Sequence, residues 1–544
     1  MNNTIFSFPK PTNEPVRGYN PGSSDRKQIR LALDELLNTV TEIPIIIGGK
    51  EIRTGNMGQV VMPTDHHHVL AQYHKVSEKE VQMAIAAAME ARREWANTPW
   101  MDRASVCLKI ATLICGKYRY LINAATMLGQ GKTTMQAEID SACELADFLR
   151  YNAYYMSQIY SDQPCSDAGT INYVNYRPLE GFVLAVTPFN FTSIASNLAM
   201  SPVLMGNVTI WKPSTTALLS NYLLMKIYKE AGLPDGVVNF LPGSGSLIGS
   251  VAFANPDFAG VHFTGSTKTF NSFWKSIGDN ISTYRTYPKI VGETGGKDFI
   301  FAHHSANARQ VATAIVRGAF EYQGQKCSAA SRAYLPASLW PEVKQIVGEM
   351  IADIKVGDVR DFSAFVNAVI DETSFDNCMR YIEDAKQSAD AEIVFGGTGD
   401  KSVGYFVQPT VILAKKPDYK SMCEEIFGPI ITIYVYEDNQ YEQTLQLCNS
   451  TSPYALTGAI FSTCRKALRQ ADEILKYAAG NIYYNDKPTG AVVGQQPFGG
   501  ARSSGTNDKA GSYLNLLRWV SPQAVKETFA PAEQYSYPFV SSEE

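Results

Sequence analysis

The sequence has few of the features that mark membrane, secreted or nucleic-acid-binding proteins. No apolar run approaches the ~20 residues that a membrane-spanning helix needs. Residues 1–26 contain Pro, Asn, Ser and Gly but no apolar core, which is not the pattern of a secretory signal. The net charge of -5 over 544 residues is too small to predict binding to nucleic acid. We therefore expect neither a membrane nor a nucleic-acid partner.

Paired cysteines are also missing. The nine cysteines are scattered, contain no CxxC pair and are odd in number, as expected for a protein of a reducing compartment. The N-terminus is not the Arg-rich amphipathic type of an organelle transit peptide, although a processed mature chain would look the same. We therefore predict a cytoplasmic protein, or a protein of the mitochondrial matrix if this is a eukaryotic mature chain.

Metal-site and dinucleotide-binding signatures are weak. Residues 66–68 are all His, but three adjacent His cannot all face one ion from regular structure, so we predict a turn there and no metal. Residues 243–245 read Gly-Ser-Gly after a predicted strand, but the next glycine is at 249, too late for the G-x-G-x-x-G pattern. Neither motif identifies a cofactor by itself.

Apolar runs and helical patterns alternate along most of the chain. A loop-rich arm at residues 1–30 precedes a mainly helical region, and strands then alternate with helices at 171–277 and again from 299 to about 489. This alternation predicts an α/β fold with a parallel, doubly wound sheet. The predicted strands are 43–50 (with a turn), 60–63, 171–177, 181–186, 208–212, 237–241 and 261–264, and the predicted helices are 31–37, 77–95, 101–118, 132–154, 193–205, 217–231, 246–254 and 268–277.

One cysteine stands in a distinctive context. Cys327 follows a helical pattern at 311–320 and is flanked by small and polar residues, in the stretch Gly-Gln-Lys-Cys-Ser-Ala-Ala-Ser-Arg at 324–332. A thiol becomes a strong nucleophile once it loses its proton, which a helix dipole or a nearby cation favours. Most cysteines of a globular protein are small apolar core residues, so motifs elsewhere in the chain decide the interpretation of Cys327.

Five further motifs accompany Cys327. They are Thr187-Pro188-Phe189-Asn190-Phe191, Trp211-Lys212-Pro213-Ser214, Phe263-Thr264-Gly265-Ser266, Gly292-Glu293-Thr294-Gly295-Gly296-Lys297 and Glu425-Ile426-Phe427-Gly428-Pro429. In identity, order and spacing this set resembles the aldehyde dehydrogenase superfamily over about residues 48–520. The resemblance implies an aldehyde dehydrogenase-like fold: a Rossmann-type NAD-binding domain (1–163, 179–292 and 496–520), an α/β catalytic domain (293–495) and a β-hairpin oligomerisation arm (164–178 and 521–544).

Two more stretches narrow the resemblance. One combines Gln-Gly-Lys at 130–132 with Gln-Ala-Glu-Ile-Asp at 136–140, and the other combines Thr-Gly-Ala-Val-Val-Gly-Gln-Gln-Pro-Phe-Gly-Gly-Ala-Arg at 489–502 with Ser-Gly-Thr-Asn-Asp-Lys at 504–509. Both are similar to the branch of the superfamily that oxidises L-glutamate 5-semialdehyde to L-glutamate, the second step of proline degradation. The resemblance implies a small-molecule aldehyde as substrate and NAD as cofactor.

The resemblance assigns three catalytic residues. Cys327 matches the nucleophile, whose thiohemiacetal with the aldehyde expels hydride and leaves a thioester. Asn190 matches the residue whose side-chain amide binds the oxyanion, together with the backbone N–H of Cys327. Glu293 matches the base that activates water for hydrolysis of the thioester, although Thr294 stands where many members have Leu.

The resemblance also implies residues around the cofactor. Lys212 matches the residue that holds the adenosine ribose. Three positions beyond it, Thr215 replaces the Glu of strict NAD users, which leaves NADP possible. Glu425 matches the residue that binds the nicotinamide ribose. The remaining implied residues are Thr187 ahead of the oxyanion amide, Gly265, Ser266, Thr267, Lys268 and Thr269 at the pyrophosphate, and Phe427 beside the nicotinamide.

Substrate recognition is implied at the ends of a binding tunnel. The loop that contains Gly490 and Ala491 matches the anchor that holds the substrate carboxylate through backbone N–H groups, and many relatives have Ser where Ala491 stands. Phe498 matches a wall around the aliphatic part, and Ser328 lies beside the nucleophile. Glu138 matches the carboxylate that meets the substrate ammonium.

Two alternatives remain open. One is another semialdehyde dehydrogenase, for example one acting on succinate semialdehyde, which the loop at 494–502 disfavours. The other is a catalytically inactive structural homologue, which the presence of Cys327, Asn190 and Glu293 disfavours.

The strand 171–177 and the strand-like tail that begins at 525 have no obvious partners nearby in sequence. In the superfamily such a hairpin pairs with the sheet of a neighbouring subunit, which also protects its edges. We therefore expect a homodimer or a higher homo-oligomer.

Overall fold

The computed structural model describes residues 7–540 and 542. That part of the chain contains two seven-stranded sheets, three small sheets and a two-stranded hairpin. Helices pack against both large sheets, which confirms the predicted α/β class. Within the described residues no helix is both long enough and apolar enough to cross a membrane.

The first large sheet contains five parallel strands and two short antiparallel ones. The apolar runs that form its centre are buried along almost their whole length, as is usual for parallel strands covered on both faces. The strand order reverses between the third strand and the second, and open α/β sheets bind ligands at such a reversal. Across the sheet the strands are Lys289–Glu293, Phe258–Thr264, Phe182–Val186, Val208–Lys212, Val238–Phe240, Ile45–Ile47 and Lys50–Ile52.

The second large sheet is also mainly parallel. Only its first strand is antiparallel to its neighbour. All of its strands lie between residues 298 and 484, in agreement with the second alternating block predicted from the sequence. Across the sheet they are Ala391–Phe395, Thr410–Ala414, Ile430–Tyr436, Ala330–Pro336, Asp298–Ala302, Thr457–Phe461 and Asn481–Tyr484.

Helices from the first part of the chain and one from near its end surround the first sheet. The helix that follows Ser77 begins with a capping box, in which the N–H of Ser77 donates to Oε2 of Glu80 over 2.8 Å. The helices here are Ser24–Leu37, Glu78–Trp95, Trp100–Cys115, Arg119–Gln130, Thr134–Ala137, the π-helical Glu138–Glu144, Leu145–Ser161, Thr192–Leu204, the 3-10 turn Thr215–Ala217, Leu218–Ala231, Gly245–Phe253, Thr267–Asp279 and Tyr513–Leu517.

The structure differs from the predicted N-terminal helices in three places. The helix Ser24–Leu37 begins well before residue 31, because the side chain of Ser23 caps it by accepting from the N–H of Arg26 at 3.2 Å. The helix Arg119–Gln130 is absent from the prediction. It is buried almost all round, and the polar residues along one of its faces are buried as well. The predicted helix 132–154 is interrupted by the π-helical stretch Glu138–Glu144.

The second sheet has its own helices. They alternate with its strands as in a doubly wound fold. They are Ala308–Phe320, the 3-10 turn Glu321–Gly324, Trp340–Asp353, Glu372–Gln387, Lys420–Cys423, the 3-10 turn Asp438–Gln440, Tyr441–Ser450 and Arg465–Leu475.

The three small sheets lie outside the two large ones. They include the one place where the sequence suggests a turn and the structure has a strand: the three His at 66–68 belong to the ten-residue strand Asp65–His74, which pairs along most of its length with its antiparallel neighbour. Residues 66–68 lie at a register shift of this strand, between the paired residues Asp65 and Val69, where polar side chains are tolerated as they are in a turn. The small sheets are formed by Thr41–Ile43, Asp65–His74 and Met57–Met62, by Gly399–Asp400 and Phe406–Val407, and by Tyr454–Ala455 and Ala501–Arg502.

The two strands of what we call the hairpin come from distant parts of the chain and are not joined by a turn. The strand Thr170–Pro178 pairs in antiparallel register with Val520–Thr528 over nine residue pairs. Its side chains are mostly exposed, and they include the apolar Ile171 and Tyr173 at 45% and 43% exposure. The tail beyond it includes the 3-10 turn Pro538–Val540. The two strands predicted to lack partners nearby in sequence therefore pair with each other.

The apolar interior is divided into two main cores. The first surrounds the first large sheet and includes the completely buried Trp211 and Trp519. Trp519 lies in the last part of the chain, so the segment just before the hairpin returns to the first sheet. The second core lies around the second sheet and includes Ile300, Ala333 and Ile433.

Candidate active site

The carboxyl ends of four neighbouring strands meet at one edge of the first sheet. In the parallel register, Val186 pairs with Lys212 on one side and with Phe263 on the other. On the next strand, Thr264 pairs with Glu293. Residues that follow these strands therefore lie at the same edge, beside the reversal of strand order. This edge collects predicted site residues that are far apart in sequence: Thr187, Asn190, Lys212, Ser266 and Glu293.

Cys327 lies in a loop with an unusual backbone. The helix Ala308–Phe320 runs into a single 3-10 turn in which Tyr322 and Gln323 have φ values of 52° and 55°. For residues other than glycine, each such sparsely populated backbone conformation costs about 1–3 kcal/mol. Contacts with the rest of the protein must therefore hold this turn in place.

The buried side chain of Gln323 supplies those contacts. Its amide group donates to the backbone carbonyls of Gly131 and Ala368, at 2.8 Å each. Its carbonyl oxygen accepts from the N–H of Asn367 at 3.0 Å. The turn before Cys327 is thus fixed to two separate parts of the chain.

Asn190 is directly bonded to the same loop. It stands between a strand and the helix Thr192–Leu204, and its side chain is buried. Its amide N–H donates to the backbone carbonyl of Gln325 over 3.0 Å, two residues before Cys327. An amide nitrogen carries two N–H groups, so this bond leaves the second one for a ligand.

The surroundings of Cys327 disfavour the ionised form of its thiol. Burial raises its pKa well above the ordinary value, and the charges of Asp298, Glu293 and Glu425 act in the same direction. A thiol in such surroundings is a weak nucleophile until a base removes its proton.

The surroundings of Glu293 make its carboxylate a suitable base. It lies on the wall of the same cavity as Cys327, and burial raises the pKa of its carboxyl group well above the ordinary value. The N–H of Gly500 donates to its Oε2 at 3.2 Å and fixes its orientation. A raised pKa makes the carboxylate a stronger base, which general base catalysis needs.

Thr187 and Lys212 lie side by side at the ends of their strands. The N–H of Thr187 donates to the carbonyl of Lys212 at 3.1 Å, and its Oγ1 accepts from the indole N–H of Trp211 at 3.0 Å. Burial lowers the pKa of the Lys212 ammonium to about 8. A ligand that offers hydroxyl or anionic oxygens would stabilise this partly desolvated cation.

The predicted pyrophosphate residues form the start of a helix. Ser266 caps the helix Thr267–Asp279, because its Oγ accepts from the N–H of Thr269 at 3.3 Å. Lys268 lies in the same first turn. The N-terminus of a helix presents N–H groups and the positive end of the helix dipole, an arrangement that suits a phosphate.

Local packing holds three more of the predicted cofactor residues. A Cβ at Gly265 would lie 2.7 Å from the ring of Phe263, so only glycine fits there. Oε1 of Glu425 accepts from the N–H of Gly296 at 3.0 Å, and burial raises the pKa of this carboxyl group to about 7. Phe427 has a φ of 61°, which fixes the direction of its ring.

A cavity of about 820 Å³ lies beside this edge, a volume suited to a small molecule. Among the described residues, Asn190 and the predicted cofactor residues lie outside its walls. Part of the N-terminal arm, to which the sequence gives no role, also lines it, including Asn13 and Tyr19. The predicted site residues on its walls are Glu293, Cys327, Ser328, Gly490, Ala491 and Phe498.

The loop around Gly490 is tied to the nucleophile loop. Oγ of Ser328 donates to Oγ1 of Thr489 over 2.9 Å. Gly490 has a φ of 97°, a left-handed conformation that favours glycine. Ala491 lines the cavity without a hydroxyl group, so backbone N–H groups are the polar groups that this part of the loop can offer.

The prediction for Glu138 is wrong. Its carboxylate is completely buried away from the cavity walls and forms an ion pair with Arg119. It also accepts from Asn123 at 2.8 Å, from the hydroxyl of Tyr19 at 2.7 Å and from the N–H of Arg17 at 2.9 Å. Glu138 therefore anchors the N-terminal arm.

Glu144, which the sequence analysis missed, occupies the place expected for Glu138. It lies on the cavity wall, where its Oε2 accepts from the hydroxyl of Ser193 at 3.1 Å. Burial, reinforced by the nearby charge of Asp140, raises its pKa to about 8. The two Glu residues lie on one helical pattern in the sequence, and only the three-dimensional structure shows which one faces the cavity.

Comparison with known proteins gives a consistent result over nearly the whole chain. The model of the aldehyde dehydrogenase family matches residues 52–524. The chain is 54% identical over 537 residues to delta-1-pyrroline-5-carboxylate dehydrogenase, mitochondrial, of Dictyostelium discoideum, covering 98% of this chain and 96% of that one. It is 46% identical over 532 residues to the Homo sapiens protein of the same name, covering 98% and 94%. A crystal structure of the Mycobacterium tuberculosis delta-pyrroline-5-carboxylate dehydrogenase bound with NAD is similar, with a TM-score of 0.96, 47% identity and coverage of 99% and 100%.

Proposed function

Because the chain belongs to the aldehyde dehydrogenase family, we propose that it oxidises L-glutamate 5-semialdehyde, which is in equilibrium with 1-pyrroline-5-carboxylate, to L-glutamate with NAD. The observation that carries this proposal is the single cavity whose walls hold Cys327, Glu144 and the loop of Gly490. A thiol, a carboxylate and a set of backbone donors suit the aldehyde, ammonium and carboxylate of one amino acid semialdehyde. The similar proteins of Dictyostelium and Homo sapiens carry a name that corresponds to this reaction.

In the proposed reaction, Cys327 attacks the aldehyde carbon after Glu293 takes up the thiol proton. Formation of the carbon–sulfur bond converts the carbonyl oxygen into an oxyanion. This oxyanion accepts hydrogen bonds from the second N–H of the Asn190 amide and from the backbone N–H of Cys327. The bond from Asn190 to the carbonyl of Gln325 fixes the donor beside the nucleophile. Donors that are already oriented before the reaction stabilise the transition state most.

The thioester that follows must be hydrolysed. After it has released the proton of Cys327 to solvent, Glu293 acts as the base that activates water, a role that its raised pKa supports. Thr294, where many family members have Leu, donates to the carbonyl of Ser503 at 2.5 Å and holds the backbone beside Glu293.

The edge at the reversal of strand order fits a dinucleotide. Lys212 and Glu425 would hold the two riboses, and the start of the helix at Ser266 would hold the pyrophosphate, with Thr187 and Phe427 near the nicotinamide. When bound, NAD supplies the hydride acceptor. The first sheet and its helices would form the nucleotide-binding domain and the second sheet the catalytic domain, with the boundaries predicted from the sequence.

The substrate would lie with its charged end away from Cys327. Backbone N–H groups at Gly490 and Ala491 would hold the carboxylate, and Glu144 would accept from the ammonium. Phe498 would cover the aliphatic chain, and Ser328 supports the loop through its bond to Thr489. Binding of the ammonium would favour the ionised form of Glu144.

The exposed hairpin supports a two-fold dimer as the assembly. In a two-stranded antiparallel pair, each strand has one edge whose backbone groups are unpaired. Here the pair also leaves apolar side chains such as Ile171 and Tyr173 exposed. Pairing with a second copy would cover this edge. For the compartment we propose the mitochondrial matrix or the cytoplasm, since the similar proteins of Dictyostelium and Homo sapiens are named mitochondrial.

Steady-state kinetics with three aldehydes tests the proposal. L-glutamate 5-semialdehyde is compared with glutarate semialdehyde, which lacks only the ammonium, and with succinate semialdehyde, which is also one carbon shorter. Because hydrogen bonds to charged groups contribute about 1.5–3 kcal/mol, we expect the first substrate to have a kcat/KM about 10–10²-fold higher than the second. NAD and NADP are compared in the same assay, because Thr215 does not repel a 2′-phosphate.

Equal kcat/KM for the first two aldehydes would show that the ammonium is not recognised. A preference for succinate semialdehyde would identify a different semialdehyde dehydrogenase. No reduction of either cofactor by any aldehyde would identify a catalytically inactive homologue.

A further inference from the structure

A buried ion pair lies between the two catalytic segments, and none of the steps above uses it. The ammonium of Lys132 is 2.8 Å from Oδ2 of Asp140, and both side chains are completely buried. Replacing a buried ion pair by apolar residues is often neutral for stability, so stability alone does not explain why these charges are placed here. Their contacts with the active site suggest another role.

Asp140 holds the chain that follows Asn190. Its Oδ2 accepts from the N–H of Thr192 at 3.0 Å, and its Oδ1 accepts from the N–H of Ser193 at 2.8 Å. These are the first N–H groups of the helix Thr192–Leu204, which would otherwise lack partners. Asp140 therefore caps this helix from a distant part of the sequence and fixes the segment that begins it.

Lys132 contacts both catalytic segments through aromatic rings. Its ammonium lies 3.8 Å from the centroid of the ring of Phe191 and 4.5 Å from that of Tyr322. The two rings meet edge to face, with centroids 6.4 Å apart. Phe191 directly follows Asn190, and Tyr322 lies in the left-handed turn before Cys327.

The attraction of a cation to aromatic faces strengthens when water is excluded. At this site the cation is completely buried, and its carboxylate partner is fixed by two backbone N–H groups. The ammonium therefore links the segment that carries the oxyanion donor to the turn that carries the nucleophile.

We propose that Lys132, held by Asp140, is a positioning residue that sets the place of Asn190 relative to Cys327. The inference rests on the proposed roles of Asn190 and Cys327, and it does not depend on which aldehyde is the substrate. A misplacement of about 1 Å at a reacting centre can reduce a rate about 10²-fold. Loss of the cation should therefore reduce the rate of the chemical steps, while the affinity for NAD stays unchanged.

The variant Lys132→Met removes the charge and keeps most of the length of the side chain. Two rates are measured per titrated active site: oxidation of propanal at saturating NAD, and acylation of the enzyme by an activated ester without NAD. We expect both rates to fall by the same factor, about 10–10², since both need the nucleophile and the oxyanion donor. Lys132→Arg should recover part of the loss because it restores a cation over the rings.

Lys117→Met is the matched control. Lys117 pairs with Glu230 at 2.8 Å on the surface, and this variant should keep both rates within about twofold of the wild-type values, because exposed ion pairs contribute little. If Lys132→Met lowers only the number of active sites, and not the rate per site, then Lys132 is merely structural and the inference is wrong.

A double-mutant cycle with Asn190→Ala gives the decisive result. If Lys132 acts by placing Asn190, Lys132→Met should cost less than about twofold in the Asn190→Ala background, whereas multiplied effects would overturn the inference. Should Lys132→Met fail to fold, Tyr322→Leu removes one ring, keeps the ion pair and enters the same cycle with the same expectation. A normal rate for Asn190→Ala alone would refute the proposed oxyanion role itself, which is a separate result.

Discussion

Glu138 and Glu144 stand at the two ends of one seven-residue π-helical stretch, yet their carboxylates serve different parts of the protein. Glu138 forms a buried ion pair with Arg119, and Glu144 lies on the wall of the cavity that contains Cys327. Single substitutions at the two positions should therefore have different effects. A change at Glu144 should affect substrate binding, and a change at Glu138 should affect the N-terminal arm.

Glu144→Gln should weaken recognition of the substrate ammonium. We expect KM for L-glutamate 5-semialdehyde to rise about 10-fold or more, because hydrogen bonds to charged groups contribute about 1.5–3 kcal/mol, while KM for glutarate semialdehyde should change little. Glu138→Gln is the matched variant and should instead lower the thermal unfolding midpoint, because it removes the completely buried one of the two carboxylates that pair with Arg119. A raised KM for both aldehydes in Glu144→Gln would show that the side chain acts on cavity shape and not on the ammonium.

Cys327→Ala should abolish oxidation of aldehydes and leave the affinity for NAD near normal. The thiol is the only proposed nucleophile, and the residues expected at the cofactor lie elsewhere on the sheet edge. Titration of NAD binding and steady-state assays of the purified variant measure the two properties. The matched control is Cys448→Ala, a completely buried core thiol, which should retain activity. Turnover clearly above background in Cys327→Ala would remove Cys327 from the mechanism.

Asn190→Ala should lower turnover at saturating aldehyde by about 10²–10³, which is the usual effect of removing one oxyanion donor. The bond to the carbonyl of Gln325 is lost at the same time, so circular dichroism and the thermal midpoint are needed to show that the fold is intact. A rate within a few-fold of wild type would make Asn190 a purely structural residue.

Glu425 should make the protein less stable as the pH rises. Its pKa is about 7 in the folded protein, against an ordinary value of 4.5, so between these values the folded state holds a proton that the unfolded state has lost. The stabilising effect of that proton is complete below about pH 4.5 and is lost as the pH rises through about 7, a change of up to about 3 kcal/mol.

Glu425→Gln should remove this dependence. Thermal unfolding midpoints of the ligand-free protein at pH 5 and pH 8 should differ less in the variant than in the wild type. Glu473→Gln, at an exposed position, should behave like the wild type. An identical pH dependence in Glu425→Gln and wild type would mean that other groups dominate this range.

A truncation that ends at Ser521 should change the assembly. It removes most of the strand Val520–Thr528 and leaves Thr170–Pro178 without its partner. We expect lower solubility and a shift towards monomer, which light scattering measures. An unchanged dimer mass with normal activity would mean that the hairpin is not the assembly arm.

The sequence predicts the first sheet well, because its strands and helices are distinct in pattern. The run 208–212 is predicted as a strand and has the same bounds in the structure, and the other predicted strands and helices between 181 and 277 differ only at their ends. The edge strand Lys289–Glu293 is absent from the prediction. Each strand is short, apolar and bounded by a helix with an N-cap or a loop, so local signals and tertiary packing agree.

The N-terminal region is predicted less well, for a physical reason. Arg119–Gln130 is buried on almost every side, and its buried Arg119 and Asn123 interact with Glu138 in a following helical segment. Periodicity cannot show that buried polar residues are satisfied by partners outside their own helix. The same limit explains the error at Glu138, because a buried, paired carboxylate and an exposed one look identical in sequence.

Family motifs, in contrast, predict residues that the structure brings close together. Residues after four different strands reach one edge because parallel strands point the same way, and six of the predicted residues line one cavity. The role of the N-terminal arm in that cavity, through residues such as Asn13 and Tyr19, could not be predicted, since the arm has no pattern of its own.

The π-helical stretch accommodates one residue more than an α-helix over the same rotation. In such a stretch each N–H bonds five residues back instead of four, so it holds more residues per turn than an α-helix. Deleting one residue between Glu138 and Glu144 would favour an ordinary α-helix. Five α-helical steps of about 100° turn the chain through almost the same angle as six π-helical steps of about 80°, so the two side chains would keep nearly the same relative direction. Glu138 could then keep Arg119 while Glu144 stayed on the cavity wall. A one-residue gap at this place in a related sequence would therefore be compatible with the same substrate, although the two chains differ in length.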